Sequence, residues 1–133
     1  MSGSWKEPIE VYRRTLQERL EQQQANREGR RQRVLQAVSE KLPPIAAGHP
    51  SVQRVYLFGS VTRPRAFHEK SDVDIAVEGT TAEAYFAFWR ELEQALPDWV
   101  IDLREITTSS SLAERVYRTG LLIYERAGPS SSS

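Results

Sequence analysis

Asp72 and Asp74 stand one residue apart at the head of the apolar run VDIAVE, residues 73–78. Side chains of a strand alternate faces, so Asp72, Asp74 and Ala76 share one face and Val73, Ile75 and Val77 the other. Two carboxylates on one face repel unless a cation sits between them, and ionised but unpaired they are costly in a buried place. Oxygen-only ligands of this kind suit a hard cation, Mg2+ or Mn2+. Taken alone the pattern is equally well explained by an exposed turn at a strand entry, where Ser and Asp are common. Upstream, Gly59-Ser60 closes a second apolar run. Glycine there lets a ligand approach the backbone. Ser60 can begin a helical turn whose free N–H groups receive phosphate oxygens, and Arg63 is placed to reach the same phosphates. Asp102 is a lone acid inside the apolar stretch WVIDLREI, a broken local rule of the kind that marks function. If its strand pairs beside 73–78, three carboxylates converge, and such a set can hold two Mg2+ ions about 4 Å apart for in-line displacement at phosphorus. On an edge strand facing solvent, Asp102 has no such role.

The elements that must position these residues follow from patterning. Residues 5–42 read as helix, with Pro8 suited to a first turn and Ile9, Tyr12, Leu16 and Leu20 at helical spacing. Residues 21–33 carry almost no apolar side chain, and Val34, Leu35, Val38 and Leu42 resume the stripe before Pro43-Pro44, which is expected to stop it. Either one long helix projects into solvent at its middle, or Gly29 breaks it in two. Its first stripe is a solvated face or a surface that docks on a partner subunit. Residues 52–58, 73–78, 99–106 and 121–125 read as strands. Thr80 with Glu83, and Ser111 with Glu114, form capping-box patterns that open helices. The first helix carries Tyr85, Phe88, Trp89, Leu92 and Leu96 as a core stripe and stops at Pro97, and the second ends near Gly120. Strands interleaved with helices indicate an α/β (α+β) layered domain. The division expected is a helical arm at 1–44, a catalytic domain at 45–126 and a disordered tail at 127–133.

Composition narrows the chemistry. The chain has 133 residues, enough for one modest core. Its 18 basic and 18 acidic residues cancel, so no global field steers it to nucleic acid or acidic membranes. There is no cysteine, which removes disulfide scaffolds, thiolate zinc sites and cysteine nucleophiles. No apolar run reaches membrane-spanning length and no signal-peptide core opens the chain, so the cytoplasm is the expected compartment. His68 sits in the loop before Asp72 and His49 in a Gly-His-Pro turn; solvent exposure accounts for the first, and the second has no case for chemistry.

Gly59-Ser60, Arg63, a loop, Ser71-Asp72-Val73-Asp74 and then Asp102 on a later strand together resemble the nucleotidyltransferases of the DNA polymerase beta superfamily, and more narrowly the minimal nucleotidyltransferases paired with HEPN-domain toxins. The closing TGLLIYER resembles the tail of the same small proteins, so the likeness spans about residues 52–126. Eleven residues, 61–71, separate Gly59-Ser60 from Asp72, one more than the commoner family spacing, and Pro64 follows Arg63 where many members carry glycine. The resemblance implies a palm-like mixed sheet and transfer of AMP from ATP, with pyrophosphate leaving. It implies Asp72 and Asp74 as ligands of both Mg2+ (or Mn2+) ions, and Asp102 as ligand of the catalytic one and helper in deprotonating the attacking hydroxyl. Gly59 and Ser60 would hold the β- and γ-phosphates, Arg63 would offset their charge, and Ser71 would join the nucleotide site. The chain has no second domain to bind an acceptor, and no basic patch with interleaved aromatics that would point to nucleic acid. The expected acceptor is therefore a tyrosine of a partner HEPN ribonuclease toxin, with this chain as antitoxin. A non-enzymatic antitoxin that neutralises by binding, and a nucleotidyltransferase of small molecules such as antibiotics whose homodimer forms the acceptor pocket, are the alternatives.

Overall fold

The computed structural model describes residues 6–127. In chain order the elements are α1 (Lys6–Ala47), β1 (Arg54–Phe58), a single 3-10 turn (Gly59–Thr62), β2 (Val73–Glu78), α2 (Ala82–Ala95), β3 (Ile101–Ile106), α3 (Ser111–Thr119) and β4 (Leu121–Glu125). The strands form one mixed sheet in the order β3-β2-β1-β4. β1 is antiparallel to both β2 and β4, whereas β2 and β3 run parallel through the crossover helix α2. The α/β class expected from the interleaved patterns is the one observed.

Alternation along the strands decides what covers each face of the sheet. Val55 and Leu57 of β1, Val73, Ile75 and Val77 of β2, and Ile101 and Leu103 of β3 pack with α1 and α2 in the main core. The opposite face carries a smaller cluster, in which Ala76 and Ile106 meet Ala113 and Val116 of α3. α3 covers only part of this second face, and Asp74 and Asp102 lie on it, half-buried. Neither expected capping box forms: the caps are Thr81 and Ser110, one residue from Thr80 and Ser111, which leaves alanine and not glutamate at the third helical position. Thr81 accepts from the amide of Ala84 at 3.2 Å and Ser110 from that of Ala113 at 3.0 Å. Glu83 and Glu114 fall in the first turns, where helix-dipole charge favours an acid. β1 and β3 each begin two residues later than the apolar runs suggest.

The larger departure is α1. Gly29 does not break it and Pro43-Pro44 does not stop it; one helix runs to Ala47, about 63 Å at 1.5 Å per residue. Each proline removes a backbone donor to the carbonyl four residues back. Those carbonyls belong to Ser39 and Glu40, which are exposed and open to water. Meanwhile Val34, Val38, Leu42 and Ala46 are fully buried at four-residue spacing, so packing on the sheet holds the last turns helical. The guanidinium of Arg126 then donates to the carbonyls of Ala46, His49 and Val52 at 3.2, 2.8 and 2.9 Å, tying the helix end and the turn after it to the residue that follows β4. The boundary expected at residue 44 falls inside this buried stretch. On packing, we propose that the arm ends near residue 27, because residues 8–26 are all exposed. From residue 128 onward the expected tail lies outside the described residues.

Candidate active site

Three chain segments meet at one end of the sheet: the end of β1, the start of β2 and the start of β3. Phe58 is the register partner of Asp74 across the antiparallel pair, and Asp74 is the register partner of Asp102 across the parallel one. The sheet therefore sets Asp74 and Asp102 side by side on one face, as the sequence anticipated for adjacent strands. Asp102 is held from behind. Trp89 Nε1 donates to the carbonyl of Ile101 at 3.0 Å, and the Tyr85 hydroxyl donates to that of Leu103. These two aromatics of α2 bracket Asp102, and they serve the core and the strand backbone.

Gly59 packs directly on Asp74. Its φ of +75° is a left-handed conformation that only glycine adopts without strain. A Cβ built there would fall on the Asp74 carboxylate. Gly59 opens the 3-10 turn that Ser60 continues, and neither Phe58 nor any other side chain caps it. The first amides of such a turn have no partner within it. Thr62 Oγ1 donates to the Gly59 carbonyl at 2.7 Å, and Arg31 Nε of α1 donates to the Val61 carbonyl at 2.9 Å, which fixes the turn against the helix. Arg63 is exposed and makes no ion pair among the described residues. Ser71 closes the loop: its amide donates to the His68 carbonyl at 2.9 Å and its Oγ accepts from the His68 amide at 3.0 Å.

The electrostatics mark an excess of negative charge. Burial first, then the charges of Asp102 and Asp72, push the Asp74 carboxyl from its ordinary 3.8 up to about 6, and a hydrogen bond with Asp102 adds to the effect. Arg104 counters this only in part. It lies two residues from Asp102, on the same strand face, and its Nε and Nη2 each stand 3.3 Å from that carboxylate. Arg104 is the site residue that sequence reading missed; its signal was the i, i+2 spacing to Asp102. Asp72 is exposed at the loop end, just before β2. Among the described residues no three acidic or histidine side chains are gathered into a finished cation cage. The donor set nevertheless fits a hard divalent cation. Asp74 and Asp102 make an all-oxygen pair whose mutual repulsion a cation relieves, and Asp72 adds its charge from the loop end without being gathered against them.

Residues 40–128 match the family described as polymerase beta, nucleotidyltransferase. No curated protein matches the chain. Similar solved structures include a mutant MntA-HpeT toxin–antitoxin complex, 24% identical over 72% of this chain and 73% of that one with a TM-score of 0.47. A toxin–antitoxin complex with AMP-PNP is 26% identical over 72% and 73%, with a TM-score of 0.46. The tri-AMPylated Shewanella oneidensis HEPN toxin in complex with MNT antitoxin is 23% identical over 75% and 73%, with a TM-score of 0.41.

Proposed function

Since the chain belongs to the polymerase beta nucleotidyltransferase family, we propose that it transfers AMP from ATP to a tyrosine hydroxyl of a HEPN-type toxin, and so acts as the antitoxin of that pair. The observation that carries the reading is the register pairing of Asp74 with Asp102 under the backbone of Gly59. The turn that Gly59 opens stands against the Asp74 carboxylate with no Cβ of residue 59 between them, and its first amides have no partner within the turn.

Asp72, Asp74 and Asp102 would hold Mg2+, which when bound supplies charge neutralisation and activation of the attacking oxygen. The protein's own part is positioning. Gly59 lets the triphosphate approach the backbone, and the amides of the Gly59–Thr62 turn receive the β- and γ-phosphate oxygens. Arg63, without an ion pair among the described residues and at the end of that turn, offsets their charge, and Ser71 retains a hydroxyl proton to donate. Asp102 takes the proton of the acceptor hydroxyl. A bond forms between the acceptor oxygen and the α-phosphorus, and the bond from that phosphorus to the departing pyrophosphate breaks. Arg104 keeps Asp102 aimed into the site before substrate arrives.

The test is to incubate the chain with ATP, Mg2+ and a HEPN partner and to weigh the partner by mass spectrometry. Gain of one or more AMP masses is expected. No gain, with Mg2+ still bound, sinks the proposal. An Asp72→Ala/Asp74→Ala chain that still neutralises the toxin fully would instead favour neutralisation by occlusion.

A further inference from the structure

α1 and the loop that leads to Asp72 enclose an open cleft of about 360 Å3. Arg27 and Arg30 line it from the helix, and His68, Glu69 and Lys70 from the loop. Both arginines are half-buried, so the helix fixes their stems, whereas the three loop residues are exposed. Three permanent cations thus line the cleft with one carboxylate, a local excess in a chain whose total charge is zero. That carboxylate, Glu69, bonds Arg30 at 2.9 Å but is 73% exposed. An ion pair so open to water gives way to a competing anion. Gln23 and Asn26 complete the helical wall with amide groups able to bond a backbone or a carboxylate. Lys70 lies two residues from Asp72, so the loop that walls the cleft is the one that delivers Asp72 to the start of β2.

We propose that this cleft docks an acidic segment of the acceptor protein, a reading that rests on the transfer reaction above for calling the bound protein the acceptor. Glu69 occupies the site in the free chain as a tethered surrogate, and a carboxylate of the incoming segment displaces it from Arg30. The cleft thereby holds the acceptor against the loop that carries Asp72 and selects acceptors by charge. A nucleic acid fits worse: it needs a basic stripe along its backbone and aromatic faces for stacking, and this cleft is bounded and has no Phe, Tyr or Trp in its lining.

The probe is a fluorescein-labelled peptide of glutamates flanking one tyrosine, read by anisotropy on the full chain. Its lysine counterpart and a single-stranded oligonucleotide of equal length serve as controls. The chain is expected to bind the glutamate peptide, more weakly as salt rises, and to ignore the lysine peptide. Arg27→Gln/Lys70→Gln should weaken binding about tenfold, and Glu69→Gln should strengthen it about twofold or more. Unchanged circular dichroism and Mg2+–AMP-PNP affinity establish that these variants fold. The proposal is overturned if the intact chain does not bind the peptide, if the double variant binds equally well, if the oligonucleotide binds more tightly through the same two residues, or if Mg2+–AMP-PNP competes the peptide off. Peptide binding that persists in Asp72→Ala/Asp74→Ala, while transfer is lost, separates the cleft from the chemistry. Peptide binding without any AMP transfer by the intact chain would count against the reaction and not against the anion site.

Discussion

Gly59 and Asp74 constrain each other, and both consequences are measurable. Gly59→Ala forces a Cβ onto the Asp74 carboxylate in a left-handed conformation. It should cost about 1–3 kcal/mol in urea unfolding and abolish AMP-PNP binding in a titration. Asp74 titrates at about 6 in the folded chain against an ordinary 3.8. The native state therefore holds this proton to higher pH than the unfolded state does, and stability falls as pH rises between those two values. The penalty is absent below the lower value and complete above the higher one. In metal-free buffer Asp74→Asn should be the more stable protein above about pH 7, with the difference vanishing toward about pH 4. Urea midpoints across that range check this; parallel curves for the two proteins would refute the assignment. With Asp74 as a metal ligand, as proposed, added Mg2+ should reverse the ranking, because binding to the native state stabilises it by mass action.

Elements divide into those the sheet needs and those it does not. Deleting residues through Leu20 removes only exposed positions among those described, so the unfolding free energy should stay within about 0.5 kcal/mol. Leu42→Ala, on the same helix but fully buried, should cost about 2–5 kcal/mol. Denaturant titration of the two variants side by side distinguishes arm from core. The same contrast explains what the sequence could and could not reveal. β2 was legible to the residue because the valines and isoleucine of VDIAVE alternate, and the adjacency of Asp74 and Asp102 followed once β3 paired beside it. α1 was misjudged at Pro43-Pro44 because local propensity was overruled by burial of Leu42 and Ala46, a tertiary fact. Arg104 was passed over because its meaning depends on which face of β3 is left uncovered by α3, which no window of sequence contains. The cleft at Arg27, Arg30 and Lys70 joins residues some forty positions apart and was illegible for the same reason.

For the whole molecule, two kinds of stability coexist. The exposed part of α1, residues 8–26, lacks the tertiary packing from which most helical stability in proteins comes. Helical signal should therefore decline before the emission of Trp89 and Trp99, followed in a Trp5→Phe background, reports loss of the core. Removal of residues through Leu20 should bring the two transitions together. Arg126 acts at the opposite extreme. Arg126→Ala strips the bonds to Ala46, His49 and Val52 and should cost about 1.5–3 kcal/mol. That clamp also carries a message about synthesis. β1, which delivers Gly59 to the site, has β4 as one of its two partners, and Arg126 reaches back 80 positions to the end of α1. Contacts so distant along the chain form late. On the ribosome, the strand that ends in Gly59 waits with one edge open until nearly all of this sequence has emerged. A nascent chain arrested before Leu121 should then remain protease-sensitive, and one released past Arg126 should not.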